Sequence, residues 1–158
     1  IIGTHGRSLY KADVTNLHEM KNRKGEQLIV FKPTDLRYND SWGKIRNVFT
    51  EVAIPKLSFE TFSDTAREVK LEILNLSGTV LKTQNVKLKK GLSKNEVVIQ
   101  VDKVSETSYL KSKEKSDWEK SKGAIERSDD GFYYIIPGKY DLRISSGNLE
   151  SKVEFSIK

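Results

Sequence analysis

Alternation of apolar and polar residues is the dominant pattern along this chain, and it predicts β-strands. Between residues 69 and 74, the apolar side chains of Val69, Leu71 and Ile73 fall on one face and charged side chains fall on the other. The same period of two predicts further strands over residues 57–62, 80–83, 97–101, 140–144 and 153–157. One apolar and one charged face per strand is typical of an antiparallel sheet with one side in solvent.

Turn signals separate these strands. Residues 75–79 contain Asn, Ser and Gly and predict a hairpin connection, and Pro137 and Gly138 precede the strand at 140–144. None of the strand-forming segments has a helical period. We therefore predict an all-β fold, an immunoglobulin-like antiparallel β-sandwich with an N-terminal extension and a charged insertion.

The insertion covers residues 103–130, which are rich in charge and poor in apolar side chains. Leu110 and Trp118 are eight residues apart, near a helical repeat, so we expect a long loop with at most a short helix. The charge content favours a solvated, mobile segment over a functional one. The domain boundaries follow: residues 1–30 are an N-terminal extension and linker, and residues 31–158 are the sandwich.

Composition limits the function classes further. The chain has 158 residues, 36% of them hydrophobic, which suits one domain with a modest core. It has no apolar run of the length that a membrane-spanning helix needs. The absence of cysteine excludes disulfides, a thiolate nucleophile and cysteine-ligated metals in this sequence. Any export signal would lie upstream of Ile1.

A net charge of +6 raises the question of nucleic-acid binding. Only seven of the 28 basic residues are arginine, and they are scattered. The densest lysine stretch, residues 111–122, is interleaved with acidic residues that cancel much of its field. Nucleic-acid readers rely on clustered arginine, so we expect no nucleic-acid partner.

Two parts of the chain resemble a known family. Residues 1–10, IIGTHGRSLY, followed by Leu17-His18-Glu19-Met20, resemble the closing blade segment of sortilin-like and BNR-repeat β-propeller proteins, which are often labelled glycosyl hydrolases. Residues 69–81, 90–97 and 136–144 resemble the β-sandwich of flagellar hook-capping proteins, a module that follows many such propellers. The resemblance implies the last propeller strand, a linker and a sandwich. It also implies an exported bacterial protein whose upstream propeller is the module's partner.

An enzyme needs catalytic groups, and the sequence offers few. His5 and His18 are the only imidazoles, and no aspartate is placed to orient His5 toward Ser8. Nothing marks the pair of opposed carboxylates that glycosidases use, and the Asp box of sialidases is absent. We therefore predict no catalytic residue, no metal site and no cofactor in this chain. If the parent protein is a hydrolase, its catalytic residues lie upstream.

Exposed aromatic residues provide a candidate ligand site, because sugar rings stack on flat side chains. Tyr38 and Trp42 lie in a polar segment that predicts an exposed loop, and Tyr133 precedes a strand. The alternative is that these rings cap the ends of the core. Two functions stay open: an accessory module that packs on the propeller or a protein partner, and a carbohydrate-binding module of a secreted glycosyl hydrolase. An apolar patch near residues 1–30 would favour the accessory module. An exposed coplanar pair of aromatic rings would favour the carbohydrate-binding module.

Overall fold

A computed structural model describes residues 14–45, 49 and 51–158, except the side chains of residues 113, 114 and 116, together with the backbone of residues 2–3 and 9–10. The strands are β1 (Ile2–Gly3), β2 (Leu9–Tyr10), β3 (Leu28–Val30), β4 (Lys56–Ser63), β5 (Arg67–Asn75), β6 (Val80–Leu88), β7 (Gly91–Val98), β8 (Gly138–Ser146) and β9 (Leu149–Ile157). The helices are α1 (Thr15–Asn22), α2 (Glu106–Leu110) and α3 (Lys113–Lys122), with a 3₁₀ turn at Lys103–Ser105.

Two antiparallel sheets enclose the core. One has the strand order β3-β4-β7, and the other has the order β6-β5-β8-β9. Every paired strand in both sheets runs antiparallel to its neighbour. The prediction of an all-β antiparallel sandwich is therefore confirmed.

The core forms where the apolar faces of the two sheets meet, as the alternation predicts. Residues at alternate positions of β4, β5, β8 and β9 are less than 4% exposed: Leu57, Phe59, Thr61, Val69, Leu71, Ile73, Leu142, Ile144, Phe155 and Ile157. The hairpin predicted at residues 75–79 is also present. There the Asn75 side-chain oxygen accepts a hydrogen bond from the Thr79 amide at 2.8 Å.

Two strand starts and the arrangement of the N-terminal residues differ from the sequence prediction. The first sandwich strand is β3, which starts at Leu28, so the sandwich begins before residue 31. All three β3 residues are buried, which removes the alternation that would have marked the strand. Strand β7 begins at Gly91, well before the predicted start at Val97. At the N-terminus, β1 pairs with β2, so a two-stranded ribbon replaces the single strand expected over residues 1–10.

The insertion at residues 103–130 is held against the sandwich. It contains the 3₁₀ turn and helices α2 and α3. Tyr109 of α2 is 1% exposed, and its hydroxyl donates a hydrogen bond to the Tyr134 carbonyl at 2.9 Å. The segment therefore holds more helix than the expected loop with at most a short helix, and Tyr109 anchors it in the core, while its other described residues are exposed or half-buried.

A buried tyrosine fixes the corner that leads into β8. Tyr140 is fully buried, and its hydroxyl donates to the Ile136 carbonyl, four residues upstream, at 2.8 Å. Immunoglobulin-type sandwiches carry a tyrosine in this arrangement at one corner. Within the described residues no backbone amide bonds to this carbonyl, and the tyrosine hydroxyl supplies its partner.

We predict that Tyr140→Phe lowers the free energy of unfolding by about 1–3 kcal/mol, because the buried Ile136 carbonyl loses its donor. Urea denaturation measures the change. Tyr38→Phe is the control, since no hydrogen bond to the Tyr38 hydroxyl occurs within the described residues. Equal loss of stability in both variants would contradict the role of the corner bond.

Glu72 lies on the outward face of β5, yet it is only 4% exposed. Its carboxylate accepts from Arg143 Nη2 at 2.7 Å and lies 2.6 Å from Lys70 Nζ. Burial alone would raise the pKa of Glu72, but the hydrogen bonds from Lys70 and Arg143 outweigh it, so the pKa is lowered from its ordinary value of 4.5. The ionised form of Glu72 therefore stabilises the fold.

This lowered pKa gives a pH prediction. The stabilisation by Glu72 is present above its ordinary pKa and is lost as the pH falls through the lower pKa of the folded state. Wild type should exceed Glu72→Gln in stability at neutral pH, and the gap should close in acid. Denaturation of both proteins across the acid range tests this. Glu68→Gln, an exposed glutamate on the same face of β5, controls for the loss of one charge.

Candidate functional site

Four aromatic rings meet at one end of the sandwich. The ring centroids of Tyr38 and Trp42 are 5.0 Å apart, with the planes at 67°. Tyr38 and Trp118 are 5.2 Å apart at 66°, and Trp42 and Tyr134 are 6.1 Å apart. Folding thus brings Trp118 of α3 into contact with Tyr38, which lies 80 positions earlier in the sequence. We call the depression between these rings the aromatic cleft.

The four rings differ in exposure. Trp42 is 8% and Tyr134 is 6% exposed, so both belong to the core. Tyr38 and Trp118 are half-buried. The expectation that Trp42 stands in an exposed loop is therefore wrong. Trp42 and Tyr134 form the floor of the aromatic cleft, and Tyr38 and Trp118 form its walls.

A tight turn directs Trp42 inward. The Asn39 side-chain oxygen accepts a hydrogen bond from the Ser41 amide at 2.9 Å, and the Asn39 carbonyl accepts from the Trp42 amide at 3.2 Å. This is an Asx turn, in which a short polar side chain imitates the backbone. The polar residues around Trp42 therefore bend the chain and do not indicate an exposed ring.

Gly43 leaves the space that Tyr134 occupies. Its φ is +71°, in the left-handed region. A Cβ atom at this position would lie 2.4 Å from Tyr134 Cε2, 2.6 Å from Ser128 Cβ and 2.8 Å from Asp130 Oδ1. Both the backbone conformation and the contacts therefore require glycine.

The Tyr134 hydroxyl is held in a polar network. It donates to Asp130 Oδ2 at 2.5 Å and accepts from Gln100 Nε2 at 3.0 Å. Burial and the bond to Asp130 raise the pKa of Tyr134 to about 12. The hydroxyl therefore stays protonated at physiological pH, and its role here is to position the ring.

The aromatic cleft is lined by polar and charged groups as well as by rings. Its deeper part has a volume of about 230 Å³. Charged residues of both signs surround it: Arg37, Asp40, Lys44, Lys122, Glu126, Arg127 and Asp129. Burial, and to a smaller extent the Asp40 charge, raise the pKa of Tyr38. A neutral phenol beside a carboxylate can donate a hydrogen bond to a ligand.

Tyr133, the third residue predicted to bind a ligand, is not among the residues that line the aromatic cleft. Its ring packs against Tyr109 at 6.5 Å, and the Arg127 guanidinium lies 4.7 Å from its centroid. Arg127 also binds Glu106, with Nη1 3.0 Å from Oε1. Arg127 therefore lies over the ring face that a sugar would need.

Sequence reasoning missed Trp118 as a partner of Tyr38. The eight-residue spacing from Leu110 indicated a helix but could not show where that helix docks. His5 and Ser8 lie outside the described residues, and His18 is exposed on α1. Within residues 14–45, 49 and 51–158, no group of three His, Cys, Asp or Glu side chains could hold a metal ion. Among the described helices, none has the length and apolar character needed to cross a membrane.

No protein-family model matches the chain, and a search of curated protein sequences gives no significant match. Similar solved structures include a β-glucosidase from Listeria innocua in complex with glucose, with 10% identity over 82% of this chain and a TM-score of 0.36. A β-glucosidase of saponin metabolism from intestinal bacteria has 12% identity over 85% of this chain, with a TM-score of 0.36. A Kluyveromyces marxianus β-glucosidase has 12% identity over 90%, with a TM-score of 0.33.

The chain spans only 15%, 16% and 17% of these three proteins. Their scores are too low to assign a function or a family. The resemblance to sortilin-like and BNR-repeat proteins stays a prediction.

We predict that Gly43→Ala destabilises the protein by about 1–3 kcal/mol more than Gly78→Ala. Both glycines have positive φ, at +71° and +83°, so both variants lose about 1–2 kcal/mol for the backbone conformation. Only the new methyl at residue 43 overlaps Tyr134, because nothing lies within 4 Å of a Cβ at residue 78. Paired urea denaturation curves measure the difference, and equal losses would show that the cleft floor tolerates the methyl.

Proposed function

We propose that this chain is a non-catalytic accessory and interaction module of an exported BNR-repeat propeller protein, and that it packs on the upstream propeller of the same polypeptide. The proposed contact is the α1 face, which consists of α1 and the outward side chains of Phe62 and Leu92. Export to the periplasm, cell surface or medium is part of the proposal and follows from the family resemblance.

The α1 face is built on a row of apolar side chains. The strand register places Ile29 opposite Phe62 and Phe62 opposite Leu92. Because Thr61 points into the core, Phe62 and its two neighbours point outward. An apolar row on the outer face of a sheet needs a cover, and α1 supplies part of it.

Helix α1 covers this row incompletely. Met20 lines a shallow groove with Ile29 and Phe62, and Leu17 lines another with Leu92. Yet none of the α1 residues is buried. Leu17 is 51% exposed and Leu92 is 41% exposed. The exposed Leu17 and Leu92, beside the half-buried Met20 and Phe62, are the observation that carries the proposal, since exposed apolar patches mark interaction sites.

The N-terminal ribbon, β1 and β2, also supports contact between the α1 side of the sandwich and the upstream propeller. Strands β1 and β2 have two residues each and pair with each other, and no described strand of the sandwich joins them. A two-stranded ribbon of this size is not stable alone in water. Further strands from a propeller blade would complete it, and α1 follows the ribbon directly in the chain.

The opposite outer face of the sandwich has a different character. There, charges are paired across β5, β8 and β9: Lys70 with Glu72, Arg143 with Glu72, Lys152 with Asp141, and Lys139 with Glu154. Such a face is suited to solvent. The contrast supports the α1 face as the contact surface.

Cross-linking in the full-length gene product tests the proposal. We expect a lysine-reactive cross-linker to join Lys21 and Lys94, on the α1 face, to the upstream region. Lys70 and Lys152, on the opposite face, should give few such links. Leu17→Glu combined with Leu92→Glu should reduce the first set, because two buried charges would oppose docking.

Equal cross-linking from both faces, or links unchanged in the double variant, would contradict the proposal. Cross-linking a mixture of ¹⁵N-labelled and unlabelled protein distinguishes docking on the propeller from contact between two copies of the chain. Links between labelled and unlabelled chains from Lys94 would show that a second copy, and not the propeller, covers the α1 face.

A further inference from the structure

We infer that the aromatic cleft binds a saccharide, as a single sugar ring or the end of a short oligosaccharide. The aromatic cleft and the α1 face share no residue. The inference therefore does not depend on the proposed docking. It rests on the shape of the ring pair, on the polar groups beside it and on the rigidity of the floor.

The ring pair offers one stacking surface and one wall. Tyr38 and Trp118 are half-buried and meet edge to face, with planes at 66°. A sugar ring that lies on one aromatic face is therefore bounded by the other ring. The flat coplanar pair that would suit a long polysaccharide chain is not what these two rings form. The geometry favours one ring at the end of a chain.

Polar groups beside the rings have free hydrogen-bonding capacity. Within the described residues, no hydrogen bond ties the Tyr38 hydroxyl, the Asp40 carboxylate or the Trp118 indole N–H to the protein. The carboxylate accepts, the indole donates, and the phenol does both. Sugar hydroxyls also both donate and accept, so this mixed set can satisfy several of them on one ring.

The charges around the aromatic cleft favour a neutral ligand. The charged side chains that line it are nearly balanced: four are basic (Arg37, Lys44, Lys122 and Arg127) and three are acidic (Asp40, Glu126 and Asp129). A polyanion would therefore meet three carboxylates, and a cation would meet four basic groups. A polyhydroxylated ligand with an apolar ring face matches both the charge balance and the aromatic walls.

The floor is formed before a ligand arrives. Trp42 is fixed by the Asx turn at Asn39 and contacts Tyr134, whose hydroxyl is bound to Asp130. Ser128 Oγ also donates to the Trp42 carbonyl at 2.8 Å. A preformed site loses little conformational entropy on binding, which makes weak stacking and hydrogen bonds sufficient.

Saturation-transfer NMR on the 158-residue chain tests the inference, with glucose, galactose, mannose, N-acetylglucosamine, cellobiose and laminaribiose as probes. We expect at least one to bind saturably at millimolar concentration. Trp118→Ala should weaken that binding about tenfold or more, and Trp118→Phe should weaken it less because a flat ring remains. Tyr133→Phe, a tyrosine outside the aromatic cleft, should leave it unchanged.

Asp40→Asn is a second variant that leaves the packing intact, since Asp40 is exposed. We expect it to weaken saccharide binding several-fold. The inference is overturned if no probe binds at about 10 mM, if Trp118→Ala binds like wild type, or if Tyr133→Phe weakens binding equally. Binding of dextran sulfate without any neutral saccharide would also overturn it, since Arg37 and Lys122 would then dominate.

Discussion

Tyr134 is the residue on which the end of the sandwich depends. Its carbonyl accepts the Tyr109 hydroxyl, and its own hydroxyl donates to Asp130. Its ring faces Trp42 and fills the space that Gly43 leaves open. One residue thus joins three parts of the chain: its carbonyl binds Tyr109 of the insertion, and its side chain contacts the loop around Trp42 and the turn at Asp130. Loss of any one contact would leave a buried polar group or a gap in packing.

This arrangement explains how a charged insertion packs against the sandwich. Tyr109 is the buried residue of α2, and its hydroxyl donates to the Tyr134 carbonyl within the core. Arg127 then holds the far end of the insertion by binding Glu106 and lying over Tyr133. Between these two points Asp117, Lys120 and Lys122 of α3 are exposed, while Trp118 returns to the sandwich. The charged residues among these therefore describe the solvent side of α3, and a few aromatic residues decide the packing.

The sequence predicted most of the sandwich because antiparallel strands with one solvent face alternate by necessity. It missed β3, since Ile29 points outward but is buried under the N-terminal segment, and the alternation disappears. The aromatic cleft was predictable only in part. Tyr38, which was predicted to bind a ligand, does line it, and that role stays a prediction; the burial of Trp42 depends on a turn and on Gly43. The contact with Trp118 depends on tertiary docking, which local patterns do not encode.

The two proposed surfaces have complementary physical requirements. A saccharide site with one stacking surface gives weak binding by itself. The favourable free energy of one stacked ring and a few hydrogen bonds only slightly exceeds the entropic cost of association. Tethering raises the apparent affinity of such a site. If the larger protein already holds the ligand, the tethered site meets that ligand at a high local concentration. Docking through the α1 face would fix the orientation of the aromatic cleft relative to the upstream region. The module can divide docking and saccharide binding between two places. The apolar patch lies on the outer face of one sheet, and the small polar-rimmed cleft lies at the end of the sandwich, so neither surface disturbs the core that supports both.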